Sequence, residues 1–271
     1  MDTKLAFFNT IKILNEGGYR GTDGKYISVN IDSMLDNTQL YSKPIHIESC
    51  GNHNAIIQVE NVDTFVKAQQ LFGEGYNVVV LNMCSDEHIG GLVVYCAEAQ
   101  EETLVCRSSL IKSLYKFARD PDKINPYNIV CYLDNTFDKN YGAIYSPNVK
   151  VFRNESFELL NKPFQIAVIS MPALRHPTLV DSESLSLDDY NVTKNKIRTV
   201  LNAAIKNGHD AIVLGAWGCG AYGNPPVCVS SAFKDVLQER LYKSSFRYIS
   251  FAILGNQTYR IFSKKLQYKQ L

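Results

Sequence analysis

The sequence predicts an α/β layered domain, and three observations carry that prediction. From residue 54 onward, strand-type and helix-type patterns alternate along the chain. Val78 to Leu81 and Ala211 to Leu214 are short, unbroken apolar runs of the kind found in strands buried on both faces. With 271 residues, 45% of them apolar, the chain can bury a sizeable core without staples. No internal repeat or low-complexity linker divides it. One compact domain is therefore expected, with residues 1–50 as an N-terminal helix/strand extension packed on a core of residues 51–271.

Leu5, Phe8, Ile11 and Leu14, with Ile13 beside the last, mark one face of an opening helix ended by Gly17-Gly18. Lys25 to Ile31 alternates as a strand does. Ala55 to Val59 reads as a strand, Val62 to Phe72 as a helix and Val78 to Leu81 as a buried strand. Leu104, Ile111, Leu114, Tyr115 and Ala118 line one face of a helix within Ala97 to Ala118, which Asp120-Pro121 stops. Ile144-Tyr145 and Val149 to Phe152 are short extended pieces, and Phe164 to Ser170 is a strand. Arg175 to Asn195 is polar, with His176-Pro177 near its start, and is expected to be an exposed loop. Ile197, Val200, Leu201, Ala204 and Ile205 restore the helical period, with Gly208 as the left-handed residue past the helix end. Ala211 to Leu214 is a buried strand, Ala232, Phe233, Val236 and Leu237 mark a helix, and Tyr248 to Leu254 closes the chain as a strand.

A net charge of +1 supplies no broad basic field, so generic nucleic-acid binding is not expected. The seven cysteines, Cys50, Cys84, Cys96, Cys106, Cys131, Cys219 and Cys228, form no CxxC pair and read as reduced thiols. Neither a signal-peptide core at the amino terminus nor an apolar run of membrane-spanning length is present in the sequence, which predicts a soluble, intracellular protein.

Two constellations point to chemistry. His88-Ile89-Gly90-Gly91 is followed, after eight intervening residues, by Gln100-Glu101-Glu102, between a buried strand and a helix. Glycines just past a strand's carboxyl end let the backbone approach a ligand. Two acids at a helix start suit its dipole, which is a purely structural role. They also suit glycosidic cleavage, where one carboxyl can serve first as acid for the departing oxygen and then as base for water. Adjacent helical residues point about 100° apart, so the two have different tasks.

The second constellation runs from Leu214 through Gly215, Trp217, Gly218, Cys219, Gly220, Ala221, Tyr222 and Gly223 to Asn224-Pro225-Pro226. Its glycines expose amides, and Asn224 as N-cap with Pro225 at the first helical position aims a helix start at the same space, a set suited to a diphosphate. The structural alternative is a tight strand-to-helix turn. No Gly-Lys-Ser/Thr follows, and the GxGxxG letters lack a succeeding βαβ unit. Cys219 is weighed as a nucleophile without a definable histidine partner, and the histidines show no metal-binding spacing.

Ala99-Gln100-Glu101-Glu102, Ile144 to Arg153, and Gly208 to Asp210 with the run to Pro226 together resemble the bacterial-type poly(ADP-ribose) glycohydrolases, over nearly the whole chain. The resemblance implies a three-layer α/β/α macrodomain with a mixed central sheet, binding ADP-ribose at the carboxyl edge of its strands. It implies Glu102 as the acid/base at ribose C1″ and Glu101 as the residue fixing distal-ribose hydroxyls. Gly218, Cys219, Gly220, Ala221 and Tyr222 would wrap the diphosphate, with Tyr222 standing where the family has Phe. Asn82, Gly90, Gly91 and Gln100 complete the implied substrate-binding set, and no metal or organic cofactor is implied.

One departure falls in the catalytic loop. The family has Asn-Pro before three glycines, whereas this chain reads His88-Ile89-Gly90-Gly91-Leu92. Leu92 adds a Cβ where backbone approaches the ligand, and strain there is expected to cost about 1–3 kcal/mol. Two functions follow as expectations: hydrolysis of O-glycosidic ADP-ribose bonds in poly(ADP-ribose) or on modified macromolecules, or an ADP-ribose-binding reader that has lost turnover.

Overall fold

The structure, a computed structural model, describes residues 2–48 and 51–267; Cys50 lies outside them. Helix α1 (Thr3–Glu16) starts at Asp2, whose carboxylate accepts the Leu5 N–H, and stops at Gly17 with φ +74°. A two-stranded ribbon of β1 (Gly18–Arg20) and β2 (Tyr26–Ser28) follows, then α2 (Asp32–Asn37) and β3 (Gln39–Tyr41). The rest of the chain runs β4 (Ile56–Glu60), α3 (Thr64–Gly73), β5 (Val78–Asn82), α4 (Gln100–Arg107), α5 (Leu110–Leu114), β6 (Ala143–Arg153), β7 (Leu159–Ser170) and α6 (Leu187–Lys206). It ends with β8 (Ala211–Leu214), α7 (Pro226–Leu237), α8 (Arg240–Ser245), β9 (Tyr248–Ala252) and α9 (Asn256–Leu266).

Among the described residues the main sheet has seven strands in the order β3-β6-β7-β5-β8-β9-β4. The pairs from β7 to β4 are parallel, and β6 runs antiparallel to both β7 and β3. The mixed α/β sheet expected from the sequence is thus present. Strand alternation sorts its side chains into two layers. Val78, Val80 and Val213 pack with Phe65, Leu71 and Leu104 on one face. Val79, Leu81 and Leu214 pack with Ile197, Val200, Val229 and Phe233 on the other. β5 sits centrally, so the loops leaving the carboxyl ends of β7, β5 and β8 emerge side by side on one edge. No helix among the described residues is long and apolar enough to cross a membrane.

Several elements differ from the sequence expectation. The helix expected over Ala97 to Ala118 is two helices, because Ser108 turns extended (φ −148°) and bridges to Val151. Ser109 donates its N–H to Lys150 O and accepts the Lys150 N–H on its Oγ, so strand-type bonds replace helical ones at this break. The two extended pieces at Ile144 and Val149 are one strand, β6, bulged between Ser146 and Val149, with Asn148 at φ +55°. The polar stretch from Arg175 is a loop only as far as Ser186, whose hydroxyl accepts the Asp189 N–H and starts α6 eight residues before the expected end of the loop. Past β9, Gly255 at φ +101° leads into α9, which buries Phe262 and Leu266.

Candidate active site

Three loops build the site: residues 83–91 after β5, 171–176 after β7 and 215–224 after β8. Together with the first turn of α4 they line one cavity of about 460 Å³. Gln100, Glu101, Glu102, Gly91, Gly218, Gly220, Ala221 and Tyr222 all reach its wall, so the two constellations singled out in the sequence meet across one crevice. Asn82, Gly90 and Cys219 are not part of the lining.

Helix α4 opens with Ala99 at its N-cap, placing Gln100, Glu101 and Glu102 in its first turn. Gln100 accepts the Met83 N–H on Oε1 at 2.9 Å and donates through Nε2 to Leu81 O at 2.8 Å. Its amide is committed to the end of β5 and fixes the height of the helix against the sheet. Glu101 accepts the Ser85 N–H at 2.7 Å and the Gly90 N–H at 3.3 Å, so both of its oxygens hold the loop. Burial pushes its carboxyl up to about 8, against the pull of the Ser85 N–H and with the Glu102 charge adding to the rise. Beside it, Asn82 is fully buried. Its Nδ2 donates to Ser170 Oγ at 3.0 Å, and its Oδ1 has no protein partner.

Glu102 differs in the use of its oxygens. Its Oε1 accepts the Leu92 N–H at 2.9 Å, while Oε2 has no protein partner among the described residues. One oxygen is anchored and the other is free for a ligand. Gly91 explains how the backbone comes so close: it sits at φ +61°, and a Cβ there would lie 2.2 Å from Glu102 Oε1.

Leu92 does not carry the strain expected of it. Its φ is −107°, its N–H serves Glu102, and its side chain is 41% exposed at the cavity wall. The left-handed conformations of this loop fall on Gly90 and Gly91 instead. His88 also lines the cavity, and its backbone N–H donates to Ser85 Oγ at 3.0 Å.

On the facing loop, Gly218 takes φ +72°, and a Cβ would lie 2.6 Å from both Ala173 Cβ and Asn224 Nδ2. Asn224 is not the N-cap. Pro225 caps α7, with Pro226 at its first position, while Asn224 Nδ2 donates to Leu174 O at 2.7 Å and Gly218 O at 3.1 Å. No residue of α7 reaches the cavity, so the helix start expected from the sequence is not part of its wall, whereas Gly218, Gly220, Ala221 and Tyr222 are. The Cys219 side chain packs with the apolar cluster around Trp217, and burial pushes its thiol up to about 12, which removes the nucleophile alternative.

Arg175 and His176, expected to be exposed, line the cavity. Their loop is pinned from behind: Trp217 Nε1 donates to Met171 O at 3.1 Å and the buried Lys196 Nζ to Pro172 O at 3.1 Å. His176 takes φ +47°, with its N–H on Tyr222 O at 3.0 Å. Tyr222 Oη donates to Asp86 Oδ1 at 2.5 Å and accepts the Asp86 N–H at 3.0 Å, and the Arg175 Nε donates to the same carboxylate oxygen at 2.9 Å. Although burial works against it, Arg175 and the Tyr222 hydroxyl hold the Asp86 carboxyl below its usual range. A second cavity of about 490 Å³ adjoins the first through Met83, Ala99, Gln100 and Ala216, with Asp63, Thr64 and Arg107 in its wall.

Comparison with known proteins fits this geometry. The family model of the microbial-type PARG catalytic domain matches residues 8–154. A crystal structure of poly(ADP-ribose) glycohydrolase from Thermomonospora curvata is 28% identical, covers 97% of this chain and 98% of its own, and superposes with a TM-score of 0.81. The structure of that organism's enzyme bound to the inhibitor ADP-HPD is 27% identical over 97% of this chain and 98% of its own, with a TM-score of 0.77. The Deinococcus radiodurans enzyme in complex with ADP-ribose is 26% identical over 87% of this chain and 96% of its own, with a TM-score of 0.69. No curated protein matches the chain.

Proposed function

Since this chain belongs to the microbial-type poly(ADP-ribose) glycohydrolase family, we propose that it hydrolyses O-glycosidic ADP-ribose bonds with Glu102 as the acid/base. The observation that carries the residue assignment is the Glu102 carboxyl itself, anchored through Oε1 to the Leu92 N–H while Oε2 has no protein partner among the described residues and Glu102 lines the cavity. ADP-ribose is the ligand that the family assignment brings to this crevice, and the two cavities that share Met83, Ala99, Gln100 and Ala216 in their walls offer separate places for its two nucleoside-like ends.

In this reading the distal ribose lies between Glu102 and the ring of Tyr222. Amides of Gly218, Gly220 and Ala221 hold the diphosphate, and the adenosine occupies the second cavity beside Asp63 and Thr64. Glu102 gives its proton to the oxygen leaving C1″, the C1″–O bond breaks through an oxocarbenium-like state, and the resulting carboxylate then takes a proton from the water that adds to C1″. Atoms balance with water as the one co-reactant, and the acid is regenerated. Glu101, largely neutral below pH 8, holds the loop and a ribose hydroxyl without placing a second full charge beside Glu102. Gly91 brings the loop backbone against the ribose. The same unstrained Leu92 that anchors Glu102 speaks for turnover and against a reader that has lost it.

Incubating the protein with poly(ADP-ribose) and with singly ADP-ribosylated protein, and measuring free ADP-ribose, tests this. Release by the parent, lost about 10²–10⁴-fold in Glu102→Gln while ADP-ribose still binds by calorimetry, is the expected result. Equal release by parent and variant would remove Glu102 from the chemistry.

A further inference from the structure

A polar cluster at the cavity rim is left over once the reaction is assigned. Asp86 and Glu87 belong to the loop after β5, Arg175 to the loop after β7, and Tyr222 to the loop after β8. One Asp86 oxygen receives the Tyr222 hydroxyl at 2.5 Å, Arg175 Nε at 2.9 Å, and Arg175 Nη2 as well. Arg175 Nη1 reaches Glu87 Oε2 at 3.3 Å, and the guanidinium lies over the Tyr222 ring, 5.0 Å from its centroid. Tyr222 is thereby held at three points: its hydroxyl by Asp86, its ring face by Arg175, and its backbone oxygen by the His176 N–H. His176, a non-glycine residue at φ +47°, keeps a costly conformation in that same loop, which persists only where surroundings over-determine it.

Arg175 and Tyr222 line the cavity that also holds Glu102, yet the bonds among Asp86, Arg175 and Tyr222 run between loops and reach no glutamate of the α4 pair. The hydroxyl is the key atom. A phenylalanine at 222 could present the same ring to a ribose, but it could neither donate to Asp86 nor accept from the Asp86 amide. Only a tyrosine turns this ring into a tie between the glutamate loop and the diphosphate loop.

We propose that Asp86 and Arg175 are positioning residues that act through the Tyr222 hydroxyl, clasping the two ligand-binding loops together so that the ring is held against the distal ribose in the reactive orientation. This rests on the reading that Glu102 cleaves an ADP-ribose bond in this cavity. Neither residue touches the reacting atoms. Their effect is on geometry, where a misplacement of about 1 Å costs on the order of 10²-fold in rate. The clasp therefore belongs to kcat more than to KM, because diphosphate and adenosine contacts remain when it is cut.

The test is steady-state hydrolysis of poly(ADP-ribose) by the full chain, with ADP-ribose affinity and thermal midpoint measured for every variant. Trp217, the single tryptophan of the sequence, lies in the diphosphate loop and gives an intrinsic emission signal for ligand binding. Tyr222→Phe keeps the ring and deletes one oxygen, so it is the leading variant. Tyr222→Phe and Asp86→Ala are each expected to lower kcat about tenfold or more, with KM and ADP-ribose affinity within about threefold of the parent. The double variant should be no slower than the worse single by more than about twofold, since both cut one tie. Asp86→Asn, which keeps an acceptor oxygen, should recover part of the loss seen with alanine. A Tyr222→Phe protein with parental kcat, or a double variant whose loss is the product of the single losses, overturns the clasp. So does a fall in thermal midpoint with kcat intact, which would mark the cluster as purely structural. If the parent itself releases no ADP-ribose, the functional reading fails, and the positioning role fails with it.

Discussion

Gly91 shows how narrowly a single backbone position conditions the site. Its φ of +61° and the 2.2 Å that would separate an added Cβ from Glu102 Oε1 act together, one as strain and one as collision. Gly91→Ala is expected to destabilise the loop by about 1–3 kcal/mol and to displace Glu102. Hydrolysis should then fall at least tenfold more than ADP-ribose affinity, when both are measured on the same preparation. Glu101 gives a second prediction. Its folded-state value of about 8 lies above the value it has in the unfolded chain, so the unfolded state releases its proton first as pH rises. Stability tied to the neutral acid is full below the ordinary carboxyl range and is lost as pH climbs toward 8, with a slope approaching ~1.4 kcal/mol per pH unit. Glu101→Gln mimics the neutral acid and lacks that slope. Its thermal midpoint should gain on the parent's between pH 5 and 8, whereas a gap independent of pH would contradict a protonated Glu101. At this scale the paired glutamates, Gly91, Gly218 and Tyr222 were legible in the sequence, because glycine spacing and adjacent acids are local signals. Asp86, Arg175 and His176 were not, since their roles arise only where three loops meet.

Elements show the same division between local and distant causes. The opening helix, β5, β8 and the Gly208 stop follow from periodicity and glycine placement, and Gly208 does take φ +75° past α6. The break at Ser108 comes from a strand whose Lys150 backbone, 41 residues further on, bonds Ser109, a cause that no periodicity reveals. Asn224 is the instructive case. Its type and its place before two prolines suit an N-cap, but its amide closes the 218–222 loop by donating to Leu174 O and Gly218 O. Asn224→Ala leaves Leu174 O short of a partner, while Gly218 O keeps the backbone N–H of residue 224, at a cost of about 1–3 kcal/mol. The expected signature is a lower thermal midpoint together with weaker ADP-ribose binding. A midpoint loss with unchanged affinity would mean that the 218–222 loop keeps its shape without this staple.

Over the whole molecule, residues 2–48 contribute directly to the architecture that holds the glutamates. β3 pairs with β6 at the sheet edge, and α1 braces α4 through Thr10 Oγ1 on Cys106 O at 2.5 Å and Cys106 Sγ on Thr3 O at 3.2 Å. Phe7 is buried in the layer that also holds Leu104 of α4. Phe7→Ala should cost about 3–5 kcal/mol and lower the thermal midpoint by roughly 10 °C. An unchanged midpoint would show that α1 is dispensable to the core. The layered class was legible from alternating patterns, while the strand order and the three-residue β3 were not, because pairing is fixed between segments far apart in sequence. The central claim is that two distant turns enclose one ligand, with the Glu102 carboxyl at the anomeric carbon. A crystal structure of Glu102→Gln soaked with an ADP-ribose oligomer measures this most directly. It should place C1″ about 3–3.5 Å from the residue 102 side chain, with the diphosphate on the amides of residues 218–222. Ligand bound elsewhere, or bound with residue 102 turned away from C1″, would contradict the account.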